Sequence, residues 1–160
     1  MYDVIIIGGG PAAAGAAVYV ARKKLKTLLI AEAFGGQSIV SADIHNWIGT
    51  KSISGIELAK NLEQHVRNYP EEVEVKAGEL AVRVLQADGG FRVETNKGGS
   101  YESKTVIMCA GARRRKLGIP GEEEFNGKGV VYCSTCDAPL FSGKDVAVVG
   151  GGTAGLEAAV

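Results

Sequence analysis

The chain has 160 residues, with Lys plus Arg and Asp plus Glu balanced at 18 each, 46% hydrophobic residues and 23 glycines. That apolar share excludes a disordered tail, and the neutral balance gives no electrostatic reason to expect nucleic acid or a membrane surface as partner. The glycines lack a three-residue period, which excludes collagen; they fall in runs at 8–10, 35–36, 89–90, 98–99 and 150–152, as turns and close backbone–ligand approaches require.

In chain order, Tyr2 to Ile7 is a β-branched run that predicts a buried parallel strand. Val4 to Ala21 carries no charge, but Gly8-Gly9-Gly10-Pro11 in its middle is poor helix material and Asp3 precedes it. The stretch therefore reads as strand, turn and helix in a cytoplasmic protein, not as a membrane span or signal peptide. Pro11 to Arg22 is the helix and Thr27 to Ala31 a second buried strand, completing a βαβ unit. The loop from Ala33 to Ser52 is long enough to suggest function. Ser54 is placed to cap a helix through Arg67, with Glu57 completing a capping box. From Val73 to Lys104, short alternating strands with turns at Asp88-Gly89-Gly90 and Asn96 to Gly99 predict an antiparallel meander. Thr105 to Ala110 is a further buried strand ending at Gly111, with Cys109 inside it as an inert small hydrophobe. Arg113 to Gly129 reads as a connector; Arg113-Arg114-Arg115 could meet a phosphate, but a solvated charge run is the favoured reading. A strand at Asp145 to Val149 and the start of a helix close the chain.

Three segments carry chemistry. Gly8-Gly9-Gly10-Pro11-Ala12-Ala13 is a G-x-G-x-x-A between strand and helix: Gly8 permits the tight turn, Gly10 lets backbone N–H groups reach a pyrophosphate, and the helix start offers free donors. Glu32, about 20 residues on, can accept from ribose hydroxyls. Gly150-Gly151-Gly152-Thr153-Ala154-Gly155 repeats the pattern, and two dinucleotide sites suggest electron transfer between flavin and nicotinamide. This second motif has no room to finish, so the chain reads as part of a longer one. Between them, Cys133-x-x-Cys136 followed by Asp137 is a redox dithiol with an acid to move its proton. Half of a zinc site is the competing reading, but no second C-x-x-C is present, and no metal is expected. In the long loop, Gly35-Gly36-Gln37 and Asn46 of His45-Asn46-Trp47 either face a flat ligand or form ordinary turns. His65 reads as a surface residue.

Val4 to Ala12, Phe34 to Gln37, Asp43 to Trp47, Pro120-Gly121-Glu122, Cys133 to Asp137 and Val148 to Gly152, in that order, make the sequence resemble the low-molecular-weight thioredoxin reductases and the similar flavoprotein component of alkyl hydroperoxide reductase. The resemblance implies an α/β architecture. A Rossmann-like FAD-binding domain (βαβ plus meander) occupies residues 1–112, a connector 113–129, and the beginning of a second Rossmann-like NAD(P)H-binding domain 130–160. It implies electrons passing from NADPH or NADH through FAD and the Cys133–Cys136 pair to thioredoxin or a thioredoxin-like or peroxiredoxin-system protein, with Asp137 as acid/base. By position, Gly8, Gly10, Pro11, Ala12, Ala13, Glu32, Gly36, Gln37, Asn46 and Gly111 would contact FAD, and Gly150, Gly152, Thr153, Ala154 and Gly155 would begin the nicotinamide site. A homodimer is implied in the same way. Ala13 stands where the family usually has Gly, and Cys109-Ala110-Gly111 replaces its A-T-G, which removes a hydroxyl. The first residues lie at the FAD strand, which favours the plain reductase layout over one with an extra N-terminal thioredoxin-like domain. A non-catalytic dinucleotide-binding module is the alternative of another class.

Overall fold

The computed structural model describes every residue except Arg114, with the side chains of Thr135, Cys136, Ala138 and Pro139 also outside the described residues. Two compact units divide the chain, Met1–Arg113 and Arg114–Val160.

The first unit is an α/β domain of Rossmann-like design built on a six-stranded sheet in the order β3-β2-β1-β6-β5-β4. β1 (Tyr2–Ile7), α1 (Pro11–Arg22) and β2 (Thr27–Ala31) form the βαβ unit, with Val4 opposite Thr27 and Ile7 opposite Ile30 in parallel register. Alternation along β1 explains the layering. Val4 and Ile6 point to the face covered by α1, where Ala13, Ala14, Ala17 and Ala21 allow close helix–sheet packing. Ile5 and Ile7 point to the other face, with Leu28, Ile30 and Val93. α2 (Gly55–Arg67) starts where expected, with the Ser54 hydroxyl accepting the Glu57 N–H at 3.2 Å.

The meander differs from expectation at both ends. β3 (Val73–Ala77) is not part of it; this strand pairs parallel with β2. β4 (Ala81–Ala87), β5 (Gly90–Thr95) and β6 (Ser100–Met108) follow, and β6 merges the last meander strand with the expected strand at Thr105. Its first half pairs antiparallel with β5, its second half parallel with β1, and Ser103 lies in both ladders. The handover is tight: a Cβ on Gly90 would strike the Ser103 carbonyl, and the Ser103 hydroxyl donates to the Thr105 carbonyl at 2.9 Å. The second half is also less buried than expected, Met108 being 61% exposed.

In the second unit, the short helices α3 (Ser134–Asp137) and α4 (Thr153–Ala159) are present, with Gly152 at the N-cap of α4. The strand expected at 145–149 is absent. A strand needs a ladder partner, and here Val146 and Val149 are exposed instead. The connector is not featureless: turns run from Gly121 to Gly129, an isolated bridge joins Asn126 to Val130, and Glu122 is buried. Among the described residues no helix is long and apolar enough to cross a membrane.

Candidate functional site

The turn after β1 and the loop after β2, separate in sequence, are one structure in space. Gly8 takes φ +123°, where a Cβ would strike the Cys109 carbonyl, and its N–H donates to the Ile30 carbonyl at 2.9 Å. Gly35, at φ +100°, donates its N–H to the Gly9 carbonyl at 2.8 Å, and a Cβ on Gly36 would lie 3.1 Å from Gly10 Cα. Backbone thus meets backbone with no side chain between. The 3-10 helix Gly36–Val40 continues from this contact.

A cleft of about 970 Å³ opens above the turn, lined by the ends of β1 and β2, the loop to Ile39, the start of β4 and the segment after β6. Its walls include Gly8, Gly10, Glu32, Gly36, Gln37 and Gly111, with Pro11 and Ala12 at the α1 terminus. Ala13 does not line it; this residue is fully buried against the sheet. Asn46 stands apart and exposed, on a loop closed by the Ile44–Ile53 bridge, where Asp43 accepts from Ser52 and lies 2.9 Å from His45. That Ser52 bond, ahead of the nearby imidazole, holds the Asp43 carboxyl below its ordinary value despite some desolvation.

Two contributions to the cleft were not visible in the sequence. The first is Glu79 to Val84, brought there by the sheet order. The second is Arg113, which ion-pairs with Glu32 while staying exposed, as a solvated charge would; Arg114 lies outside the described residues. The Gln37 side-chain amide donates to the Ala112 carbonyl, tying the loop to the same segment. Cys109 lies just past β6, half-buried on the cleft wall, with its thiol pushed up by burial. His65 is exposed, its ring stacked 6.2 Å from that of Tyr69.

The residues fit a dinucleotide. Gly10, at φ −79° and ψ −178°, adopts backbone open to any residue, and the nearest atom to a Cβ there is Gly36 Cα at 3.7 Å. Nothing in the chain demands glycine at this position, so the space it keeps open belongs to the cleft. α1 has no side-chain cap, leaving its first N–H groups and positive end free for a phosphate.

In the second unit, Cys133 is half-buried and not free, and its carbonyl accepts the Asp137 N–H at 2.9 Å. Asp137 is half-buried; the Cys136 side chain lies outside the described residues. Gly150, at φ +129°, packs its carbonyl where a Cβ on Gly155 would fall, while Thr153 and Ala154 open α4. Among the described residues no group of His, Cys, Asp and Glu is placed to hold a metal ion.

A glycine cradle at a helix start, an acid just past the next strand and a cleft over both are the features of a Rossmann-like α/β fold. The chain belongs to the pyridine nucleotide-disulphide oxidoreductase family, whose model matches residues 2–160. It is 48% identical over 159 residues to an NADH dehydrogenase of Bacillus subtilis (strain 168), covering 99% of this chain and 31% of that protein. It is 46% identical over 162 residues to an alkyl hydroperoxide reductase component of Pseudomonas aeruginosa, again 99% and 31%. Among solved structures, thioredoxin reductase of T. acidophilum matches with a TM-score of 0.71 at 40% identity, over 88% of this chain and 45% of that one. The enzyme of Lactococcus lactis matches at 0.72 and 37%, over 88% and 46%. The chain thus spans about a third of the curated relatives it matches.

Proposed function

We propose that the chain forms the FAD-binding part (residues 1–112) and the beginning of the NAD(P)H-binding part (130–160) of a disulfide reductase that uses Cys133 and Cys136 to reduce a thioredoxin-like protein. The observation that carries this reading is the room kept at Gly10, above a helix start and beside Glu32. Bound FAD supplies a two-electron carrier between reduced nicotinamide and the protein disulfide. The α1 N–H groups would hold its pyrophosphate, Glu32 its ribose, and Gly36, Gln37 and Gly111 the cleft beside it; Asn46 would have to act from outside that cleft. Gly150, Gly152, Thr153, Ala154 and Gly155 would receive the nicotinamide dinucleotide's phosphates.

When the Cys133–Cys136 pair takes up two electrons and two protons, one thiol loses its proton to the Asp137 carboxylate. The thiolate attacks the acceptor disulfide, and the second thiol resolves the mixed disulfide. The acceptor leaves as a dithiol and the pair returns to its disulfide. We assign the whole protein to the cytoplasm as a homodimer, on resemblance.

In the full-length protein, Cys133→Ser or Cys136→Ser should abolish NAD(P)H-driven reduction of a thioredoxin disulfide while leaving FAD bound. Retained turnover would overturn the reading, and FAD binding by the unsubstituted protein without any disulfide reduction would favour a non-catalytic module. The 46% identity to the alkyl hydroperoxide reductase component of Pseudomonas aeruginosa supports a second reading in which the acceptor belongs to a peroxiredoxin system. Comparing rates with the two acceptors decides between them.

A further inference from the structure

Glu122 is the only buried charged side chain among the described residues, 5% exposed. It stands in the second unit, which contributes no residue to either buried hydrophobic cluster. A carboxylate taken out of water needs its oxygens engaged by donors, and here both are. Oε1 accepts the Leu117 N–H at 2.8 Å and also the Tyr132 hydroxyl, while Oε2 accepts the Gly118 N–H at 2.6 Å. Two of these bonds close a local loop, for which an ordinary turn would suffice. The third reaches ten residues along the chain, to the side chain that immediately precedes Cys133. From there the path is short: the Cys133 carbonyl accepts the Asp137 N–H, closing the helical turn that contains Cys136.

We propose that Glu122 is a positioning residue for the dithiol: through the Tyr132 hydroxyl it fixes where the chain enters the Cys133–Cys136 turn, and so sets the pair's exchange geometry. The inference rests on reading Cys133 and Cys136 as the redox pair. Neither Glu122 nor Tyr132 lines the dinucleotide cleft, so cofactor loading should not depend on them.

The test uses the full-length FAD-loaded protein with Glu122→Gln, Tyr132→Phe and the double variant. Four quantities are measured: FAD content, kcat and KM for disulfide reduction, and the thiol–disulfide equilibrium of Cys133–Cys136 against a glutathione buffer. Each single variant should lower kcat by about tenfold or more, leave FAD content and acceptor KM unchanged, and shift the glutathione equilibrium. The double variant should lose little beyond either single one, because both break one path. Wild-type kcat and equilibrium in Tyr132→Phe, or additive losses in the double variant, would overturn the proposal. Tyr132→Phe keeps the ring and the backbone N–H groups that face the carboxylate, so it reports even if Glu122→Gln unfolds. Glutathione exchange needs no protein acceptor. If the unsubstituted protein reduced no disulfide, the functional reading would fail while the equilibrium measurement still judged the positioning role.

Discussion

A side chain at Gly8 strikes the Cys109 carbonyl and must adopt φ +123°, whereas one at Gly10 meets nothing nearer than Gly36 Cα at 3.7 Å. Gly8→Ala should therefore destabilise the first unit by about 2 kcal/mol through strain and displaced backbone, read by urea unfolding. Gly10→Ala should change stability by less than about 1 kcal/mol, since the poorer cap is offset by lost unfolded-state entropy. It should instead weaken FAD binding at least tenfold by flavin titration; unchanged affinity would remove the reason for glycine at this position. Glu122 adds a pH dependence. Burial pushes its carboxyl up, but the N–H groups of Leu117, Gly118 and Ile119 outweigh this and hold it below its ordinary value. A lowered folded value means that its contribution is complete above about pH 4.3, the unfolded carboxylate value, and is lost as pH falls through the folded one. Protection of the Asp137 amide, taken relative to its intrinsic exchange rate at each pH, should fall as pH drops below that value, and Glu122→Gln should remove that dependence.

Ser54→Ala should cost about 1 kcal/mol through loss of the bond to the Glu57 N–H, measured by thermal unfolding. α1, α2, β1 and β2 were legible because their signals are local: a β-branched run, a Pro at N1, a capping Ser. Partnership was not legible. Val73 to Ala77 alternates like a meander strand yet pairs parallel with β2, because alternation says which face is buried and nothing about the neighbour. The division drawn at Lys104 dissolved for a related reason: one extended segment serves two ladders, with Ser103 as the hinge. At 145–149 the residues are right for a buried strand and the neighbours are missing. Propensity without a partner leaves the segment outside any ladder, with Val149 71% exposed.

For the whole 160-residue chain, the two units should differ sharply in amide exchange. Val4 to Ile7 and Thr27 to Ala31, buried in the sheet, should be protected to near the global unfolding free energy, while residues 145–150 should exchange within seconds. Equal protection of both would contradict the division at Arg113. The cleft was partly legible for the same reason as the elements. Its glycines and Glu32 announce themselves by spacing, whereas Arg113 and the start of β4 arrive through topology, from sequence far from the fingerprint. β6 has a temporal consequence. Tyr2 pairs with Ser103 and Ile7 with Met108, so the strand that closes the sheet is among the last parts of the first unit to be synthesised. At about 5–20 residues per second, the inner edge of β1 waits on the ribosome for about 5–20 s, its N–H and C=O groups unpaired beside a run of isoleucines. The nascent chain therefore carries an unpaired, apolar strand edge until β6 has been made.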